Sequence, residues 1–93
     1  MNVIISFLAR EDKVEEFESL MGSVKSTLPE VHGCSEVKIF RDLEQPCAFT
    51  LVETWSSQAL HAEHLDQLVA SGAWEHISQL LQTPPTSRYC DLY

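Results

Sequence analysis

The sequence predicts an α+β fold in which helices cover one face of an antiparallel sheet. Three observations lead to this fold class. Four segments have the β-branched and aromatic content or the period-two alternation of strands. Two longer segments repeat their apolar residues every three to four positions, as amphipathic helices do. Only a short turn separates the second and third strands, which favours a hairpin. The predicted order is β-α-β-β-α-β, the ferredoxin-like arrangement.

The first predicted strand covers residues 2–9 and has apolar residues on both faces. One face carries three apolar side chains, those of Val3, Ile5 and Phe7. The other face is mixed and consists of Asn2, Ile4, Ser6 and Leu8. Because both faces carry apolar groups, we expect both to be covered.

The first helix is predicted from Asp12, where Asp12-x-x-Glu15 resembles a capping box. Apolar side chains then follow one side of the helix, at Val14, Phe17, Met21, Val24 and Leu28. Acidic residues fill the opposite side, which is typical of a solvated face. Pro29 is predicted to end the helix.

The hairpin follows Gly33, with strands at residues 34–41 and 48–55 and a turn at 42–46. In the first of these strands Val37 and Ile39 alternate with more polar positions, which predicts a covered and an open face.

The second helix is predicted to begin near Ser57, because Ser56 and Ser57 offer hydroxyls of the kind that cap helices. A break is expected at Ser71-Gly72, followed by a helical piece at residues 73–81. Pro84-Pro85 then stops the helix, and residues 88–93 are predicted to form the last strand.

Composition limits the partners that the chain can have. The 93 residues predict one domain over residues 1–93, and the net charge of -8 argues against nucleic acid or an anionic membrane as a partner. The N-terminal apolar run is short and lacks a basic region, so we expect neither a secretion signal nor a membrane span. Three cysteines without a C-x-x-C pair are typical of reduced thiols, which predicts a cytoplasmic location.

A small chain with a second apolar sheet face often gains stability by association. The sequence therefore predicts a homodimer in which the open sheet faces of two copies pack together.

Several short motifs occur in an order that matches a known family. They are Gly33-Cys34 at the start of the second strand, Glu53-Thr54-Trp55 at the end of the third, Leu60 and His64 on the second helix, and Pro84-Pro85 before the last strand. With these motifs on this topology, the chain resembles the antibiotic biosynthesis monooxygenase family of dimeric α/β-barrel proteins over essentially its whole length.

The resemblance implies oxidation of a small aromatic substrate without a bound metal, flavin or other cofactor. In the family, phenols or quinols enter a pocket between sheet and helices, and the deprotonated substrate itself reduces O2. The protein would bind the substrate, remove a proton and exclude water. The implied partners are a second copy of the chain, a small aromatic substrate and O2.

His64 is the candidate catalytic base, because an imidazole titrates near neutral pH and can take a proton from a hydroxyl. Trp55 is predicted to pack in the core or to form a flat wall against which an aromatic substrate stacks. Further candidates for substrate binding are Asn2, Ser6, Trp74, His76 and Tyr89. His61 and His64 form an i, i+3 pair, but Glu63 and Asp66 point elsewhere on the helix, so no metal site is predicted.

Other functions remain open at this level. His64 could instead move a proton next to a carbonyl group in an isomerase or a breakdown enzyme for a small carbonyl metabolite. The chain could also be a non-catalytic dimer that binds a small ligand. Haem degradation, found in a related branch, is disfavoured because His64 occupies the position of that branch's Trp and Ser78 lies near the position of its haem-ligating His.

Overall fold

The computed structural model describes all residues from Met1 to Tyr93. It contains one four-stranded antiparallel sheet in the order β2-β3-β1-β4. The elements are β1 (Asn2–Leu8), α1 (Val14–Thr27), β2 (Cys34–Arg41), β3 (Ala48–Trp55), α2 (Gln58–Ala70), α3 (Ala73–Gln79) and β4 (Thr86–Cys90). Short 3-10 turns at Glu11–Lys13 and Leu28–Glu30 flank α1. The α+β ferredoxin-like prediction is confirmed.

The register of the sheet decides which residues meet beneath the helices. β1 lies between β3 and β4, and Val3 is paired with Glu53 on one side and with Tyr89 on the other. Residues paired across strands point to the same face of a sheet. Val3 is buried among the core residues, so Glu53 and Tyr89 share the helix-covered face with it.

The core lies between this face and the helices. Phe17 of α1 is fully buried, and its ring centroid lies 5.4 Å from that of Phe7 and 5.1 Å from that of Phe49. Met21, one helical turn later, is also buried. The predicted apolar side of α1 is therefore the side that packs on the sheet.

The predicted capping box at the start of α1 is wrong. Asp12 lies inside the 3-10 turn, and its carboxylate accepts a hydrogen bond from the Arg10 guanidinium at 3.0 Å. The helix begins only at Val14, and Lys13 before it makes no side-chain cap. Because Asp12 stands ahead of the cap position, its carboxylate is not engaged by the first free amides of the helix.

The second helix begins as expected, and its break is where the sequence placed it. The Ser57 hydroxyl accepts a hydrogen bond from the Leu60 amide at 3.2 Å, which caps α2. Gly72 separates α2 from α3 with φ +82°, a left-handed conformation that glycine adopts without strain.

Two predicted boundaries differ from the structure near the C-terminus. α3 ends at Gln79, because Leu80 and Leu81 turn into the core, and Leu81 forms a bridge with Ala9. The last strand is Thr86–Cys90 instead of 88–93, since its final pair joins Cys90 to Asn2.

The other face of the sheet carries no helix. Ile4 of β1 and Val52 of β3 are paired on this face and half-buried, and Phe40 of β2 is 55% exposed. We call this surface the open face. None of the helices combines the length and apolar character that a membrane crossing requires.

Candidate functional site

A cavity of about 190 Å³ lies between the sheet and the three helices. Its wall is mostly apolar, with aliphatic, aromatic and thioether side chains from every layer around it. The apolar lining consists of Ile5, Phe7, Met21, Val24, Leu28, Val31, Leu51, Leu65, Leu68, Trp74 and Ile77. A space of this kind can accept a small apolar molecule.

Three titratable side chains interrupt this apolar wall: Glu53, His61 and His64. Glu53 points inward because it alternates along β3 with the buried side chains of Leu51 and Trp55. His61 and His64 are three residues apart on α2 and therefore share one side of that helix.

Glu53 is a carboxyl group in the interior, with only 4% of its surface exposed. Its Oε1 accepts a hydrogen bond from the Trp55 indole Nε1 at 2.8 Å, between neighbours on the same face of β3. Burial raises the pKa of Glu53, and the indole hydrogen bond offsets part of this effect. The carboxyl therefore holds its proton to a higher pH than an exposed glutamate does.

His61 connects Glu53 to the last strand. Its Nε2 lies 3.9 Å from Glu53 Oε1, and its Nδ1 lies 2.9 Å from the Tyr89 hydroxyl. His61 is 3% exposed, and its pKa is lowered by burial and, secondly, by the charge of His64. At neutral pH the ring is therefore neutral, with one nitrogen that donates and one that accepts.

His64 is half-buried, and burial lowers its pKa. Its neutral imidazole can accept a proton from a group in the cavity. His64 also lines a second cavity of about 120 Å³, on whose wall lie the polar side chains of His32, Glu63 and Gln67. The ring thus stands between the apolar interior and a polar recess.

Trp55 packs against both histidines of the site. Its ring centroid lies 5.3 Å from that of His61 and 5.4 Å from that of His64. The indole is 1% exposed and is not part of the cavity wall; it donates a hydrogen bond to Glu53 and packs against the two imidazoles. It orients the polar residues of the site.

The other candidates from the sequence fall into two groups. Trp74 lines the cavity, and Tyr89 contacts it through His61. Asn2 and Ser6 lie on the open face, separated from the cavity by the sheet, because they alternate with the buried residues of β1. His76 is exposed on α3 and is not among the residues that line the cavity.

Asn2 has a structural partner on the open face. Its side-chain Oδ1 accepts a hydrogen bond from the Thr54 hydroxyl at 2.9 Å. The two residues are paired in the register of β1 and β3, so this bond ties the two strands together.

Glu53 and His61 are the site residues that the sequence analysis did not select. A signal for Glu53 was present, because it is the one carboxylate in the inward series Phe49, Leu51, Glu53 and Trp55. His61 was considered only as half of a metal pair. No group of three or more His, Cys, Asp or Glu side chains in the structure is arranged to hold a metal ion.

Comparison with known proteins identifies a family. The model of the family described as "Antibiotic biosynthesis monooxygenase" matches residues 1–77. These residues include the first three strands, α2 and all three titratable groups of the cavity. Among curated proteins, none matches the chain.

Solved structures share the fold at low sequence identity. A crystal structure described as an antibiotic biosynthesis monooxygenase is 16% identical, with a TM-score of 0.86, and the match covers 99% of this chain and 97% of that one. The protein Rv0793 from Mycobacterium tuberculosis is 18% identical, with a TM-score of 0.83 and coverage of 99% and 94%. A similar protein from Nitrosomonas europaea, described as a putative antibiotic biosynthesis monooxygenase, is 18% identical, with a TM-score of 0.83 and coverage of 99% and 89%. At these identities the likeness shows the fold alone.

Proposed function

Because the chain belongs to the antibiotic biosynthesis monooxygenase family, we propose that it oxidises a small quinol or other electron-rich phenol with O2. The observation that carries this proposal is the position of His64. A neutral imidazole stands at the wall of an otherwise apolar cavity large enough for an aromatic ring. This is the arrangement that removal of a proton from a phenolic hydroxyl requires.

The size of the cavity limits the substrate. An apolar protein cavity of about 150 Å³ binds benzene. The present cavity, at about 190 Å³, suits one aromatic ring with small substituents. We therefore favour a dihydroxybenzene, whose ring packs beside Trp74 while one hydroxyl faces His64.

In the proposed reaction His64 takes the proton of this hydroxyl, and the quinolate supplies the electrons that reduce O2. A dihydroxybenzene and O2 give a hydroxybenzoquinone and water, so one oxygen atom enters the ring and the other leaves with two protons. The reaction uses no metal or flavin, since the electron donor is the substrate itself. The chain contributes binding, deprotonation and a dry environment.

We also propose that the active form is a homodimer joined through the open face. The half-buried Ile4 and Val52 and the exposed Phe40 support this arrangement, because a second copy would remove them from water. The open face is on the opposite side of the sheet from the cavity, so association leaves the cavity lining within each copy.

A second reaction is favoured by one specific observation. Glu53 and His64 line the same cavity, so a carboxylic acid and a neutral base can act on one ligand. Such a pair can move a proton from the carbon next to a carbonyl group while it protonates the carbonyl oxygen. The alternative function is therefore isomerisation or breakdown of a small carbonyl metabolite. The open cavity weighs against a pocket filled by the chain's own side chains.

Oxygen uptake with quinols of increasing size tests the proposal. Reduced benzoquinones, naphthoquinones and anthraquinones are compared after autoxidation without protein is subtracted. We expect catalysed uptake with one-ring quinols, one labelled atom from 18O2 in the product, and a decline as rings are added. If no quinol supports uptake while a carbonyl compound exchanges its α-hydrogen with solvent deuterium, the isomerase function replaces the oxygenase.

A further inference from the structure

The buried position of Glu53 is energetically unfavourable for a carboxyl group. A carboxyl group in an apolar interior loses its hydration, and an apolar side chain of similar size is usually at least as stable there. Glu53 has one hydrogen bond within 3.5 Å, to Trp55, and no Lys or Arg forms an ion pair with it. A group of this kind on a cavity wall suggests a chemical role.

Glu53 is also the innermost of three polar side chains that lie in a row between the cavity and the protein surface. The Glu53 carboxylate, the His61 imidazole and the Tyr89 hydroxyl follow one another at 3.9 Å and 2.9 Å. A shift of about 1 Å brings the first pair within hydrogen-bond distance. Glu53 and His61 are only 4% and 3% exposed, whereas Tyr89 is 43% exposed. With that shift, His61 and Tyr89 would join the buried carboxyl to the protein surface through hydrogen bonds.

We propose that Glu53 is a second catalytic residue, the acid that protonates the oxygen-derived peroxide, and that His61 and Tyr89 position it. This inference rests on the proposed quinol oxidation. It assigns separate tasks to two groups on the same cavity wall: His64 removes the proton of the quinol, and Glu53 delivers a proton to oxygen.

The step begins when the quinolate and O2 have joined through a new bond between a ring carbon and one oxygen, which leaves a peroxide anion. The Glu53 carboxyl gives its proton to the outer oxygen. The resulting carboxylate then removes the hydrogen of the same ring carbon as the O–O bond breaks. The departing hydroxide takes the proton that His64 had accepted and leaves as water. Both side chains return to their starting states, and the ring carbon becomes a carbonyl.

Without the proton donor, the two electrons leave on peroxide instead. The quinol and O2 then give the unmodified quinone and hydrogen peroxide. The ratio of hydrogen peroxide to hydroxyquinone therefore reports the presence of the acid, separately from the rate of oxygen uptake.

The groups that face Glu53 come from three elements. His61 and His64 approach from α2, Tyr89 approaches from β4 through His61, and the thiol of Cys34 lies at the start of β2. Burial raises the pKa of Cys34, so the thiol stays protonated and neutral beside the carboxyl. None of these neighbours holds a permanent positive charge that would keep Glu53 ionised.

The test is the product ratio of Glu53→Gln, which keeps the size and the acceptor oxygen for Trp55 but cannot donate an acidic proton. We expect the ratio of hydrogen peroxide to hydroxyquinone to rise about 100-fold while oxygen uptake falls far less. Tyr89→Phe should raise the ratio by a smaller factor in the wild-type background and have no further effect in Glu53→Gln, since both act through one unit. Tyr93→Phe, at a fully exposed tyrosine, is the matched control and should change nothing.

The outcomes separate this inference from the proposed function. Wild-type protein without catalysed oxygen uptake overturns quinol oxidation itself. Uptake with an unchanged product ratio in Glu53→Gln overturns only the assignment of Glu53 as the acid. Infrared spectra of the wild-type protein give a second measurement that needs no variant to fold. With 13C-labelled glutamate, a protonated carboxyl band near neutral pH supports the inference, and its absence contradicts it.

Discussion

Glu53 is one of three titratable groups, with His61 and His64, whose burial makes the stability of this protein depend on pH. Glu53 has its pKa raised by burial, so the folded chain releases that proton at a higher pH than the unfolded chain, whose glutamates titrate near about pH 4.3. Below that value both states hold the proton, and Glu53 imposes no pH-dependent cost on the fold. As the pH rises, the unfolded state ionises first and the fold loses stability until Glu53 ionises as well.

Glu53→Gln should therefore stabilise the fold at neutral pH, by about 1–3 kcal/mol in the free energy of unfolding. The gain should shrink towards pH 4, where the wild-type carboxyl is protonated in both states. Urea unfolding at pH 4, 5, 6 and 7 measures it, and Glu44→Gln in the exposed turn controls for the change in net charge. A difference between wild type and Glu53→Gln that does not vary with pH would contradict the assigned burial effect.

Gly33 joins the start of β2 to α2 at close range. Its φ is +94°, and a Cβ atom there would lie 2.8 Å from Leu60 Cδ1 and 2.9 Å from Leu60 Cβ. Its carbonyl accepts a hydrogen bond from the Ser56 amide at 2.8 Å, just before the helix that carries both cavity histidines. A side chain at this position is opposed by both the backbone conformation and the contact with α2.

Gly33→Ala should lower the free energy of unfolding by about 2–4 kcal/mol, since left-handed strain and overpacking add. The matched control is Gly22→Ala in α1, where a new Cβ meets no atom within 4 Å. That change should stabilise the chain by about 0.5–1 kcal/mol through helix propensity. Urea unfolding of both variants measures the contrast, and equal effects would contradict the close approach at Gly33.

At the scale of elements, α2 is the part that assembles the site. Its start is fixed by the Ser57 cap, and its side facing the sheet carries His61 and His64. The helix packs on β3 through Trp55, whose ring touches both imidazoles. The position of the first turn of α2 therefore controls the geometry of the proposed base.

Ser57→Ala should cost about 1 kcal/mol of stability, because the hydroxyl that accepts from the Leu60 amide is lost. Ser56→Ala, one residue earlier, makes no such bond through its side chain and should change stability by less than half as much. Thermal unfolding followed by circular dichroism compares the pair. Equal losses in the two variants would show that the cap does not stabilise α2.

The sequence predicted the helices and strands more accurately than the residues at which they end, and the reason is physical. Alternation in β2 and the helical spacing in α1 are local patterns, and both correctly identified the covered side of each element. The end of β4 depends on where β1 begins, which is a non-local pairing. The contact of His61 with Tyr89 joins residues 28 positions apart and follows from the sheet order, so no local pattern could reveal it.

At the scale of the whole molecule, the two faces of the sheet have different roles. One face builds the cavity, and the other is left for a second copy in our proposal. The sequence suggested both faces from β1, but it assigned Asn2 and Ser6 to substrate binding. The register places them with Ile4 on the open face instead, because residues of equal parity share a face.

Val52→Asp should convert the dimer to a monomer, because it puts a charge at the centre of the open face without entering the core. Light scattering after size exclusion should give about twice the 10.5 kDa chain mass for wild type and the single chain mass for the variant. Val69→Asp, at an exposed valine on α2, introduces the same charge elsewhere and should remain a dimer. A monomeric wild type, or loss of the dimer in Val69→Asp alone, would contradict an interface at the open face.

The most direct test of the proposed function compares catalysed oxygen uptake by the wild-type protein and by His64→Ala with a one-ring quinol, autoxidation subtracted. We expect uptake by the wild type, a loss of about 100-fold or more in the variant, and partial recovery when imidazole is added in solution. Binding of the oxidised quinone to both proteins controls for an intact cavity. Equal uptake by the two proteins would remove His64 as the base, and no uptake by the wild type would contradict quinol oxidation.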